Sequence, residues 1–142
     1  MKPRVVITGM GIVAPNAIGL DNFLEAIQQG RSGITFHQKL KDLKFSCCIG
    51  GIPSVSKELK SQYLTSLQLR GFDSAGILYG CIAGMDAWKD AGFKIDKNSS
   101  TDYNSGIVFG TGTSGIEKFR EAIYKLDNNK VKRLGSTVVV QT

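Results

Sequence analysis

The stretch Val5-Val6-Ile7-Thr8-Gly9-Met10-Gly11-Ile12-Val13-Ala14-Pro15 decides how the rest of the chain is read. Residues 4–8 carry the β-branched run Val5-Val6-Ile7-Thr8 and end at Gly9, which predicts a buried strand. Unbroken apolarity, without alternation, implies cover on both faces, as in a sheet flanked by helices. The run Gly9-Met10-Gly11-Ile12-Val13-Ala14 also has the G-x-G-x-x-G/A spacing of a dinucleotide fingerprint. That fingerprint works because a helix N-terminus follows at once and aims its amides at a pyrophosphate. Here Pro15 stands where such a helix should already be running, and the first amphipathic stripe starts only at Leu20. Gly33-Ile34-Thr35-Phe36-His37 supplies no acidic residue to close a second strand. The glycines therefore read as a tight strand exit, and a nucleotide-binding domain is the weaker reading.

Working outward, Leu20, Phe23, Leu24 and Ile27 fall on one helical face, with Asp21 in the first turn and Gly30 as the stop. Residues 31–73 are the least legible: a turn at Ser32-Gly33-Ile34, a short strand over 45–49 and a helix over 56–63 behind Pro53 are expected. A strong helix follows over 74–91, with Leu78, Cys81, Ile82, Met85 and Trp88 as its stripe and Gly92 ending it. Gly76, Gly80 and Gly84 recur every fourth residue along it, at a cost in helix propensity. Their expected use is close approach of another element. Residues 105–110 predict a second buried strand, running into the glycine-rich turn Thr111-Gly112-Thr113-Ser114-Gly115. A third helix takes Ile116, Phe119, Ile123 and Leu126, and Asp127-Asn128-Asn129 breaks it. The order predicts an α/β fold with a mainly parallel sheet.

At 142 residues, 42% hydrophobic and 21% charged, the chain is long enough for one domain with a real core and is not of disordered composition. No apolar run approaches the roughly 20 residues of a membrane span. The N-terminus leads straight into a strand, with no secretory segment, so a cytoplasmic location is expected. Cys47, Cys48 and Cys81 form neither a metal set nor a disulfide framework; Cys81 reads as a small core residue. His37 is the only histidine, in a polar, lysine-rich stretch, and reads as a surface residue. One histidine and three scattered thiols build no metal site, and no cofactor is expected. The turn at 110–115 lacks the lysine of a P-loop, and Ser114 sits in Gly-x-Ser-Gly, not the G-x-S-x-G of a nucleophile elbow. The net charge of +6 gathers partly at Lys125, Lys130, Lys132 and Arg133. The plain reading is a solvated loop; as a binding surface, without interleaved aromatics or a nucleic-acid motif, it suits an acidic protein better than nucleic acid.

Three segments taken together resemble the β-ketoacyl-[acyl carrier protein] synthase family of the thiolase-like superfamily. They are residues 4–15, residues 70–93 with their ending Asp86-Ala87-Trp88-Lys89-Asp90-Ala91-Gly92-Phe93, and the strand and turn of residues 105–115. The resemblance covers nearly the whole chain. It implies the first part of a duplicated, five-layered αβαβα fold, incomplete in this chain, with residues 1–142 as the N-terminal portion of the synthase N-terminal domain. It also implies a condensing acyltransferase of fatty-acid or polyketide-like synthesis, in which a cysteine thiolate accepts an acyl group from acyl carrier protein. Two histidines then help decarboxylate malonyl-carrier and stabilise the enolate and oxyanion. That Cys-His-His set is expected beyond Thr142, so no catalytic residue is carried over.

What the resemblance does place here is Thr113, at a position lining the acyl pocket, where a larger apolar residue is common. It also places Arg70 at a position that docks the acidic carrier protein, though Leu67, Leu69 and Gly71 lack the family's further positive charges. The closing residues 136–141 resemble a segment at the family's dimer interface, so a homodimer or a heterodimer with a related subunit is expected. Gln141 stands where asparagine is common. These departures leave open a non-catalytic partner subunit resembling a chain-length factor. The open sheet edges of such a partial fold predict exposed apolar surface and self-association.

Overall fold

A computed structural model describes residues 3–71, 74–94, 102–112, 115–135 and 138. In chain order the elements are α1 (Leu20–Gln28), β1 (Ile34–Phe36), α2 (Gln38–Asp42), β2 (Ile49–Gly51), α3 (Lys57–Tyr63), α4 (Ser66–Gly71), α5 (Ala75–Asp90) and α6 (Ile116–Asp127). A short 3-10 turn, Val131–Arg133, follows. The helices predicted over 20–27, 56–63, 74–91 and 116–126 all form, each within a residue or two of its expected bounds.

Local chemistry explains the ends. Helix α1 closes where Gly30 takes a φ of 63°, in the left-handed region that glycine enters without a Cβ penalty. Ser56 caps α3, its hydroxyl accepting from the Leu59 amide at 3.1 Å. Helix α4, absent from the sequence reading, opens with a reciprocal box. The Thr65 hydroxyl accepts from the Gln68 amide at 3.3 Å, and the Gln68 side-chain oxygen accepts from the Thr65 amide at 2.9 Å.

The sheet differs from expectation. Among the described residues it has two strands, β1 and β2, and they are antiparallel: Ile34 faces Gly51, Thr35 faces Gly50 and Phe36 faces Ile49. A mainly parallel sheet is not present in them. Residues 4–8 and 105–110, predicted as buried strands, make no ladder and stand exposed; Val5 is 94% and Ile107 92% accessible. The physical reason is that α5 meets these stretches at Gly9, Met10 and Gly11 and at Phe109, and among the described residues no strand flanks either, so the apolar residues lack the layers their composition anticipates.

Helix α5 is the spine. Gly9 and Gly11 lie directly on its small-residue face. A Cβ at Gly9 would fall 2.5 Å from the Ala91 nitrogen, and one at Gly11 would fall 2.7 Å from the Ala87 nitrogen and nearer still to the Ala83 carbonyl. Ala83, Ala87 and Ala91 recur every four residues, which aligns them on one helical face. The Met10 amide then donates to Asp90 Oδ2 at 2.9 Å, tying the segment to the end of the helix. Past it, the chain reverses through Ala14–Ala17: the Ala14 amide donates to the Ala17 carbonyl at 2.9 Å, with Val13 bridged to Ile18. The strand exit is thus also a helix contact. Of the α5 glycines, Gly80 receives the Phe109 ring, whose Cε2 would lie 3.0 Å from a Cβ there, whereas Gly84 faces open space.

The core is small. Among the described residues, Ala26, Leu78 and Ile82 are the buried apolar side chains, and Ser74 is the buried polar one. The stripe of α6 is uncovered: Ile116, Phe119, Ile123 and Leu126 are 44–62% accessible. The chain exposes 11619 Å². A monomeric globular protein of 15.4 kDa exposes about 7,200 Å². The excess of roughly 4,400 Å² is of the size that obligate assemblies bury. Among the described residues the substantial core anticipated from length and composition is not formed, and the predicted exposed apolar surface is present.

Candidate functional site

Arg70 sits exposed in the last turn of α4. The capping box at Thr65 and Gln68 fixes the start of that short helix and so the direction in which Arg70 leaves it. Helix α3 packs on α5 next to it, joined by Tyr63, whose hydroxyl donates to both oxygens of Asp86 at 2.8 and 3.1 Å. Partial burial, then the bond to Asp86 and its charge, push the Tyr63 phenol up to about 12. Lys89 lies over the same ring, 4.8 Å from its centroid. Tyr79 adds a second tie, donating to the Pro53 carbonyl at 3.2 Å. Between these helices Lys57, Lys60, Ser61, Leu69 and Leu78 line a cavity of about 270 Å³. Lys57 and Lys60 are three residues apart on α3, hence on one face. The sequence reading missed this pair because it weighed only Arg70's immediate neighbours.

The turn at 110–115 leads to α6. Gly115 is buried and takes a φ of 70° ahead of the helix. Glu117, in the first turn of α6, reaches back to the start of α5: its Oε1 accepts from the Ser74 hydroxyl and from the Ala75 amide, each at 3.1 Å. Its own backbone amide, then that of Ala75, hold the Glu117 carboxyl below the usual carboxylate range. Glu117 thus caps a helix on which it does not sit. Thr113, the expected acyl-pocket residue, lies outside the described residues, as do Ser114 and the closing segment 136, 137 and 139–142.

Other singled-out residues find structural places. His37 is half-buried, its Nε2 3.1 Å from the Gly50 carbonyl, where the β1–β2 pair ends. Cys47 is exposed, and Cys48 and Cys81 are half-buried free thiols. Helix α1 begins only at Leu20, after a reversal that brings the Gly19 amide 3.0 Å from the Ile12 carbonyl, so no helix follows Gly11 at once as the fingerprint requires. A second cavity, about 420 Å³, lies beside the 14–17 turn and is lined by Asn16, Asn22, Glu25 and Arg31 among others; Arg31 is paired there with Glu25 at 3.4 Å. Among the described residues, no three His, Cys, Asp or Glu side chains gather as a metal set, and no helix is long and apolar enough to cross a membrane.

The described residues form a mixed helix and strand layer built on α5, with exposed apolar segments and lysines on α3 beside Arg70 of α4. The chain belongs to the β-ketoacyl synthase family: residues 2–142 match the family model described as the β-ketoacyl synthase N-terminal domain. It is 29% identical, over 94% of its length, to the chloroplastic 3-oxoacyl-[acyl-carrier-protein] synthase I of Arabidopsis thaliana. It is 30% identical, over 82% of its length, to 3-oxoacyl-[acyl-carrier-protein] synthase 2 of Vibrio cholerae. It is 27% identical, over 86% of its length, to the tetracenomycin polyketide synthase ketoacyl synthase beta subunit of Streptomyces glaucescens. The chain spans 28%, 27% and 29% of these relatives' own lengths.

Proposed function

We propose that the protein is a condensing acyltransferase that joins an acyl group to malonyl-acyl carrier protein with loss of carbon dioxide, in fatty-acid or polyketide-like synthesis. The observation that carries this reading is the family match over residues 2–142. Named synthases among the relatives support it. On this reading residues 1–142 form the N-terminal portion of the synthase N-terminal domain. They supply scaffold and carrier docking rather than the nucleophile, and Thr113 borders the acyl chain. The site of action is the cytoplasm, and the working form is a dimer.

The test is acyl transfer. The full-length product of the gene is incubated with an acyl-carrier protein, and its intact mass is measured. A gain of one acyl group, reversed by hydroxylamine, is expected. The 142-residue chain, which carries Cys47, Cys48 and Cys81, should gain none. Acylation of this short chain would contradict the reading. The similarity to a ketoacyl synthase beta subunit favours one second reading, a partner subunit without a nucleophile of its own. It predicts no acylation of the full-length product either, and acylation of a related synthase subunit purified with it.

A further inference from the structure

We infer that the carrier-docking face takes its positive charge from α3, through Lys57 and Lys60, and closes on an acidic helix that seats an apolar side chain against Leu69. This rests on the carrier-protein reading above and names how that partner is held.

Three observations carry it. First, Lys57 and Lys60 line the same cavity of about 270 Å³ as Ser61, Leu69 and Leu78, so two cationic side chains and two apolar ones share one recess. Leu78 is 2% exposed and fixes that recess to the core. Leu69 brings α4, which ends with the exposed Arg70, to the same cavity. Second, among the described residues Lys57, Lys60 and Arg70 take part in no ion pair, so their charge is open to a partner. The rival basic cluster near the C-terminal end of the chain is partly neutralised: Lys125 Nζ is 2.7 Å from Glu121, and Lys118 is 3.5 Å from it. Third, the face is held rigid. The Tyr63–Asp86 bonds pin α3 to α5, and the box at Thr65 pins α4, so little side-chain-bearing backbone must be ordered on binding. The positions flanking Arg70 in α4 carry no charge. The lysines of α3 supply in space what the α4 sequence lacks.

The partner that fits is a helix with carboxylates on either side of one apolar residue. Charge steers it, and the small recess sets register. The experiment measures a dye-labelled acyl carrier protein binding the full-length gene product by fluorescence anisotropy at several salt concentrations. The Lys57→Glu/Lys60→Glu pair should weaken binding at least tenfold and flatten the salt dependence, and Lys57→Gln/Lys60→Gln should weaken it less. Both should keep the wild-type circular dichroism spectrum. Lys130→Glu/Lys132→Glu should change binding less than twofold. Binding by Lys57→Glu/Lys60→Glu within twofold of wild type overturns the inference while leaving the carrier reading intact, and so does loss confined to the Lys130/Lys132 pair. Failure of the unaltered protein to bind any acyl carrier protein overturns both.

Discussion

Adding one methyl group at Gly11 should loosen the whole N-terminal segment from α5. The residue is not in the left-handed region, so the effect is steric alone. A Cβ there would sit 2.7 Å from the Ala87 nitrogen and closer still to the Ala83 carbonyl. Both are backbone atoms of a helix, which cannot swing aside as a flexible side chain can. The segment must retreat by roughly an ångström to restore ordinary contact, which strains the 2.9 Å bond from the Met10 amide to Asp90. Overpacking of this kind costs about 1–3 kcal/mol, and weakening the bond adds about 1 kcal/mol. At roughly 2–4 °C per kcal/mol for a chain of this size, Gly11→Ala should lower the unfolding midpoint by about 5–10 °C. Gly84 offers the internal control. It lies in the same helix with nothing within 4 Å of its position, so Gly84→Ala should gain up to about 1 kcal/mol from helix propensity. Thermal unfolding followed by the fluorescence of Trp88, the single tryptophan, reads both variants. A neutral Gly11→Ala, or a Gly84→Ala as destabilising as Gly11→Ala, would refute the assignment of α5 as the surface on which the opening segment lies.

Other outcomes follow from the same geometry. One of the four tyrosines should titrate near 12 in a spectrophotometric titration, and Asp86→Asn should return it toward 10.0. Because the folded value is raised, the Tyr63 bond stabilises below the ordinary phenol range and is lost as pH rises through about 12. Tyr63→Phe should remove about 1 kcal/mol at neutral pH, seen as a lower urea midpoint. Glu117, held below its usual 4.5, contributes stability that is present above that value and lost as pH falls through its depressed one. The unfolding midpoint should therefore drop on acidification below about pH 4.5, and Glu117→Gln should flatten that slope. Ile82, with 0% of its surface accessible, should cost about 2–5 kcal/mol when cut to alanine, enough to abolish the cooperative transition. The isolated 142-residue chain should self-associate in sedimentation as concentration rises; a clean monomer throughout would count against association through its exposed apolar segments.

Helix periodicity was legible because it is local: Leu20, Phe23, Leu24 and Ile27, or Leu78 and Ile82, declare a face without reference to anything distant. The strands expected over 4–8 and 105–110 rested on composition alone, and neither segment pairs among the described residues. A run such as residues 5–7 calls for a ladder and two covering layers, and those depend on neighbours that its own residues do not encode. β1 escaped notice, and β2 overlaps the strand expected over 45–49 only at Ile49; both are three-residue strands, too short to show an alternating pattern. Helix α4 left a sign in Thr65-Ser66-Leu67-Gln68, a capping box preceding only two turns of helix. The glycines at 76, 80 and 84 pointed to close packing on α5, yet the main contact falls on Ala83, Ala87 and Ala91. Alanine there preserves helix propensity while glycine on the incoming segment provides the room. At the candidate site, Arg70 was visible by resemblance. Lys57 and Lys60 became relevant only once α3 was laid beside α4.

The central claim is tested most directly by following carbon dioxide. Malonyl-acyl carrier protein labelled in its free carboxyl group is mixed with an acyl-carrier protein and the full-length gene product. Release of label in step with formation of the 3-oxoacyl thioester is predicted, with none from the 142-residue chain alone. Label retained in malonyl-carrier by folded, full-length protein, with no 3-oxoacyl product, would contradict it.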